Sequence, residues 1–171
     1  MKSLACSFFG HRNIEITNLL KKKIKYCLED LIINKNVQIF LFGSKSSFND
    51  ICHLVVSELK EKYPNIKRIC YTCKSETCTL ESEREEREKS YSLLLNREIH
   101  LLGFEEEVEH KKKYDAGRAS YVERNEAMIE DCDYCVFYYN KDYVLPKKTN
   151  SGTKIAYEYA IRKKKNIINL F

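Results

Sequence analysis

Proline is nearly absent from this 171-residue chain, with two in all, and glycine is scarce, with five. No Ser/Gly-rich linker interrupts the sequence, so no domain boundary is visible. The expectation is a single domain over residues 1–171, a length that suffices for one well-buried core. No internal repeat is found. No apolar run approaches the roughly 20 residues that a membrane span needs. The opening MKSLACSFFGHR has one lysine and a six-residue apolar run ending in His11-Arg12. That run is too short for a signal-peptide core, so a cytoplasmic location is expected. Nor is there a dominant charge of one sign, since 30 Lys and Arg face 25 Asp and Glu, a net charge of +5. The lysines come in separate clusters at 21–23, 111–113, 147–148 and 163–165. They read as solvated helix faces, because a nucleic-acid groove needs them to converge with aromatic stacking partners.

Short apolar runs alternate with amphipathic stretches. Residues 4–9, 37–42, 66–72, 97–102, 133–139 and 166–171 read as strands, most of them apolar on both faces as in a buried parallel sheet. Helical spacing occupies 14–34, 47–62, 118–130 and 153–164. Strands alternating with helices predict an α/β fold: a Rossmann-like, doubly wound, mostly parallel sheet of about six strands flanked by helices. The charged run 81–92, ESEREEREKSYS, reads as an exposed helix or a lid.

Eight cysteines include Cys70-x2-Cys73-x4-Cys78 and Cys132-x2-Cys135, which could pair as a zinc site. Cys70 and Cys135 lie within strand-like runs, however, where cysteine behaves as a small core hydrophobe. The expectation is no metal and no cofactor.

The glycines fall at informative places. Gly10, Gly43 and Gly103 follow predicted strands, Gly117 precedes a helix and Gly152 opens the last one. In an open parallel sheet, ligands bind beyond the carboxyl ends of the strands, so Gly10, Gly43 and Gly152 mark three loops that could line one crevice. Their neighbours are His11 and Arg12, then Ser44 and Lys45, then Ser151 and Thr153. Hydroxyls, a guanidinium and the N–H groups of a helix start are what a phosphate accepts. The bland reading of Ser151 is a helix N-cap worth about 1 kcal/mol. On the helix 118–130, Tyr121, Val122, Asn125, Met128 and Ile129 share a face. Asn125 is thus an amide in an apolar stripe, expected to bond a backbone loop or a ligand. Arg124, at the edge of the stripe, reaches the crevice or pairs with Glu126 or Glu130.

Five separated motifs, CSFFGHR, FLFGSKSSFND, AGRASYVERNEAMI, DYCVFYY and NSGTKIAYEYA, occur in order and nearly end to end. Together they resemble the SLOG superfamily, which joins DprA/Smf proteins to the LOG phosphoribohydrolases, and within it the GHR-containing branch. The resemblance implies a pocket for a nucleotide or an ADP-ribose-like derivative at the glycine loops. Its ligand residues would be Gly10, His11, Arg12, Gly43, Ser44, Lys45, Arg124, Asn125, Ser151, Gly152 and Thr153. Hydrolytic LOG members carry G-G-x-G-T-x-x-E, whereas the residue three past Thr153 here is Ala156. Glu158 stands about 200° further round the helix and is expected to pair with Arg162. The same alanine departs from the 2-deoxyribosyltransferases, which this region also resembles. An N-glycosidase would therefore need another carboxylate, such as Asp50, Glu81, Asp115 or Glu123. The leading expectation is a binding module for a nucleotide-derived small molecule, with no membrane and no nucleic acid as partner. DprA-like single-strand binding is the alternative from another class, and a homodimer stays open.

Overall fold

The computed structural model of the protein describes residues 3–43, 46–73, 103–110, 114, 117–146 and 150–171. In chain order the elements are β1 (Leu4–Gly10), α1 (Asn18–Lys35), β2 (Val37–Phe42), α2 (Ser47–Lys62), β3 (Lys67–Thr72), β4 (Glu106–Glu109), α3 (Gly117–Asp131), β5 (Tyr134–Tyr138), α4 (Gly152–Arg162) and β6 (Asn166–Asn169). The six strands form one sheet in the order β4-β3-β2-β1-β5-β6, and every neighbouring pair is parallel. The chain steps outward from β1 to β4, then returns and steps outward the other way. The reversal falls between β1 and β5, which makes the gap beyond their carboxyl ends the switch point of a Rossmann-like sheet.

Side chains alternate across the strands and feed two cores. On one face, Cys6, Phe8, Phe40, Phe42 and Val136 meet Leu20, Ile24, Leu28 and Leu31 of α1 and most of α2. Phe8 stacks on Phe42 with ring centroids 5.0 Å apart. On the other face, Ala5, Phe9, Leu41, Cys135 and Phe137 meet Met128 and Ile129 of α3 and Ala156 and Ala160 of α4. Each fully buried phenylalanine contributes about 1.5–3 kcal/mol over an exposed one.

Capping sets the helix limits. The periodicity of α1 extends back to residue 14, but the helix starts at Asn18 because the Thr17 hydroxyl accepts the Leu20 N–H at 3.1 Å. It ends at Asn36, whose φ of 56° is left-handed. Ser46 caps α2 in the same way through the Asn49 N–H. No helix among the described residues is long and apolar enough to cross a membrane.

Two expected segments, the strand 97–102 and the charged run 81–92, lie outside the described residues. The strand found beyond β3 is β4, whose sequence EEVE carries no strand-like apolar pattern. A clamp holds it in place. Arg68 of β3 gives its backbone N–H to Glu105 Oε2 at 2.6 Å, its Nε to the same oxygen at 3.1 Å and its Nη2 to Oε1 at 2.5 Å. The Glu105 N–H returns a bond to the Arg68 carbonyl at 2.9 Å. Partial burial alone would raise the Glu105 carboxyl, but the hydrogen bonds and charge of Arg68, aided by Lys60, hold it down at about 2. A folded-state value below the usual 4.5 means stability present above that pH and lost as pH falls toward 2. Because Glu105 is open to solvent on one side, screening keeps the loss to about 1 kcal/mol. Acid titration of the unfolding midpoint should show a steeper fall between these limits for the native chain than for Glu105→Gln, which starts lower at neutral pH.

Candidate anion-binding cavity

The carboxyl end of β1 has no room for a side chain at its last position. A Cβ on Gly10 would lie 2.4 Å from Phe48 Cβ, in the first turn of α2. This close approach brings the loop after β1 against the start of α2, where the Arg12 carbonyl accepts from both the N–H and the hydroxyl of Ser47 at 2.8 Å. The Arg12 side chain is thereby left exposed. His11 turns inward. Its Nε2 accepts the Asn140 N–H at 3.1 Å, and its ring lies 4.2 Å from that of Tyr143. Burial pushes this imidazole below its usual value, so it is neutral at pH 7.

The start of α4 supplies donors. The Ser151 hydroxyl accepts the Lys154 N–H at 3.1 Å and its carbonyl accepts the Ile155 N–H, so Ser151 is the cap that local sequence predicts. The N–H groups of Gly152 and Thr153 are the open donors of that first turn. Thr153 is only 7 % exposed, and its hydroxyl makes no hydrogen bond within the described residues. Nothing lies within 4 Å of a Cβ built on Gly152, which faces open space.

Helix α3 buries the expected face only in part, at Met128 and Ile129. Its buried residues are Ser120, Arg124, Met128 and Ile129, while Tyr121 is 40 % exposed. Arg124 therefore runs through the buried side. Its Nη1 donates to Cys73 Sγ at 3.8 Å, and its guanidinium lies 5.1 Å from the centre of the Tyr121 ring. Gly43 makes this possible, because a Cβ there would meet Met128 Sδ at 2.8 Å, the Tyr71 carbonyl at 2.9 Å and Arg124 Cδ at 3.1 Å. Asn125 Oδ1 is buried without a hydrogen-bond partner, so the expected bond to a backbone loop is not made by this oxygen. Arg118 donates Nη2 to the Asn150 carbonyl, joining α3 to the chain just ahead of α4.

These pieces enclose a cavity of about 540 Å³, within the usual size of a small-ligand site. Residues 9–13, Ser46, the first turns of α3 through Asn125, Tyr143, Leu145 and residues 151–153 contribute to its wall. Of the candidate ligand residues, Gly10, His11, Arg12, Arg124, Asn125, Ser151, Gly152 and Thr153 all line it. Gly43 lies beneath Arg124 instead, and Ser44 and Lys45 are outside the described residues. Sequence reasoning missed Asn13, Arg118, Tyr143 and Leu145. The last two sit in the loop after β5, and the rule that drew attention to the loop after β1 applies equally there.

The charge of the wall has one sign. Arg12, Arg118 and Arg124 contribute to it, and among the described residues no carboxylate does. The caps of α2 and α4 both border it, so the partial positive ends of two helices add to the three guanidinium groups. Of the alternative carboxylates, Asp50 is not in the wall, and Glu123 accepts the Tyr114 N–H at 3.1 Å and lies 3.8 Å from His110 Nε2. Glu81 and Asp115 are outside the described residues. Ala156 is buried in the core between α4 and the sheet. Glu158 is exposed and lies 3.9 Å from Lys154, not paired with Arg162 as the spacing suggested, and Arg162 rests over the Tyr159 ring.

The cysteines of 132-x2-135 meet each other with sulfurs 3.4 Å apart, and Ser7 Oγ is 3.1 Å from Cys132 Sγ. Among the described residues no group of three or more His, Cys, Asp or Glu is placed to hold a metal.

The model of the YpsA SLOG family matches residues 2–170 of the chain. No curated protein matches it in sequence. DNA processing protein A from Helicobacter pylori, solved to describe its single-stranded DNA binding mode, has a similar fold, with a TM-score of 0.54 at 14 % identity. The similarity covers 96 % of this chain and 63 % of that one, so the chain spans less than two thirds of that relative's length.

Proposed function

The chain belongs to the YpsA SLOG family, and on that premise we propose that it is a cytoplasmic, single-domain module that binds a nucleotide or an ADP-ribose-like derivative. One observation carries the reading: a cavity at the switch point whose wall holds three arginines, two helix N-termini and, among the described residues, no carboxylate. One phosphate sits on the N–H groups of Gly152 and Thr153 and on the Thr153 hydroxyl, where helix start and charge favour an anion. Arg124 holds a second phosphate or a ribose hydroxyl from below. Arg12 and Arg118 close the mouth, with Ser44 and Lys45 on the second side. Tyr143, backed by His11, offers an aromatic face to the base.

Binding without cleavage is the favoured form. A glycosidase needs a carboxylate within hydrogen-bond reach of the reacting bond, and Ala156 stands at the position where the LOG signature has its glutamate. Single-stranded DNA is less favoured, because the lysine clusters of the described residues do not converge. Lys21 of α1 is paired with Glu58 and Lys163 after α4 with Glu130, and these helices pack on opposite faces of the sheet.

Thermal unfolding against nucleoside mono-, di- and triphosphates, NAD, ADP-ribose and a single-stranded oligonucleotide tests the reading. A ligand at 100 times its Kd stabilises the fold by about 2.7 kcal/mol, which for this size is a rise of roughly 5–10 °C. A rise with one class of nucleotide, without release of free base, is the expected result. No rise with any nucleotide at millimolar concentration overturns the proposal, and a rise with the oligonucleotide alone replaces it.

A further inference from the structure

Helix α1 sends Leu20, Ile24, Leu28 and Leu31 into the core, yet its opposite face is not uniformly polar. Leu19, Tyr26 and Ile33 are 65, 80 and 62 % exposed. They recur every seven residues, a step that drifts only about 20° around a straight helix, so they form one outward stripe along nearly the whole of α1. Three large apolar side chains in line are a different matter from scattered exposed ones.

The flanks of the stripe have a pattern of their own. At 100° per residue, Lys23 and Asp30 border Tyr26 on one side, and Lys22 and Glu29 border it on the other. On each side a lysine occupies the N-terminal half and an acid the C-terminal half. Such an arrangement is complementary to itself when a second α1 runs antiparallel about a two-fold axis, the symmetry by which most dimers form. With the axis at Tyr26, Leu19 faces Ile33 of the second copy and Tyr26 faces its counterpart. Lys23 then meets Asp30 and Lys22 meets Glu29. Glu29 already holds Lys62 of its own chain at 3.0 Å, whereas Asp30 accepts only an amide hydrogen bond, from Asn34 Nδ2 at 2.7 Å, so Lys23 with Asp30 is the pair that crosses without giving up an ion pair. The two acids oppose a nucleic-acid backbone or an anionic lipid surface, which the lysines alone would attract.

We infer that the outward face of α1 seats a second copy of this chain, the two helices antiparallel and crossing at Tyr26. The inference is independent of the cavity and its ligand, since α1 contributes nothing to that wall. A single helix pair lies at the small end of specific interfaces, so the association is weak, about micromolar or weaker.

Sedimentation of the full chain from about 1 to 500 µM tests it. The weight-average mass of the native protein should climb from one chain toward two. Tyr26→Lys, which sets two ammonium groups at the axis, should stay at one chain throughout. Lys23→Glu brings an acid against Asp30 and should raise the dimer dissociation constant about tenfold or more. Adding Asp30→Lys to it reverses the pair and should restore the native value. All three positions are exposed, and circular dichroism checks that each variant keeps its fold. A native chain that remains single at every concentration overturns the inference. So does a dimer indifferent to Tyr26→Lys, or a double reversal no better than Lys23→Glu alone.

Discussion

Arg124→Ala is expected to abolish the nucleotide-induced rise in unfolding temperature and to weaken binding by roughly 100-fold, about 3 kcal/mol. The guanidinium is buried at the cavity wall, where a phosphate that it met would be screened by little water. Arg12 and Arg118, at the exposed mouth, act through solvent and salt and matter less. Isothermal titration with the nucleotide that gives the largest thermal shift measures the difference. Arg124→Lys should recover only a small part of it, because a lysine brings a point charge where the arginine brings a planar fork. Circular dichroism and the unfolding midpoint of each unliganded variant separate lost binding from lost fold, because Arg124 is buried and also contacts Cys73 and Tyr121. A variant that binds as tightly as the native chain would place the phosphates elsewhere.

Gly10→Ala should cost about 3 kcal/mol or more, toward the upper end for an overpacked core, and lower the unfolding midpoint by roughly 6–12 °C. The obstacle is Phe48 Cβ at 2.4 Å, so close to the α2 backbone that rotating the phenyl ring gives no relief. Relief requires α2 to move away from β1, and the Ser46 cap at the cavity wall moves with it. Ligand affinity should therefore fall together with stability. Gly152→Ala is the internal comparison. With open space around its Cβ, it should leave the midpoint within about 1 °C or raise it slightly, alanine being the better helix former. Differential scanning calorimetry of the two variants side by side decides the matter.

Those two glycines show what a sequence can and cannot disclose. The carboxyl ends of β1 and β5 were legible, because apolar runs alternating with amphipathic ones fix a parallel sheet, and a parallel sheet turns its loops and helix starts to one end. The reason for each glycine was not legible. Gly10 and Gly43 are excluded from bearing a side chain by Phe48 and by the Tyr71 carbonyl, neither of them near in sequence. Helix α3 was misjudged for a related reason. Tyr121 looked like part of the core stripe, but the surface it would cover is the mouth of the cavity, and the long stem of Arg124 packs inward in its stead. β4 had no chance of being read from EEVE. Its pairing is enforced by Arg68 and Glu105, 37 residues apart in sequence, and polar clamps over such distances leave no periodic trace.

Among the described residues β4 is the outermost strand on one side of the sheet, and Glu106, Glu107 and Glu109 are all exposed along it. The unpaired backbone groups of an outer strand are an invitation to polymerise. Here two molecules approaching rim to rim would bring three carboxylates from each against one another. Sheet extension into fibres is thus discouraged near neutral pH.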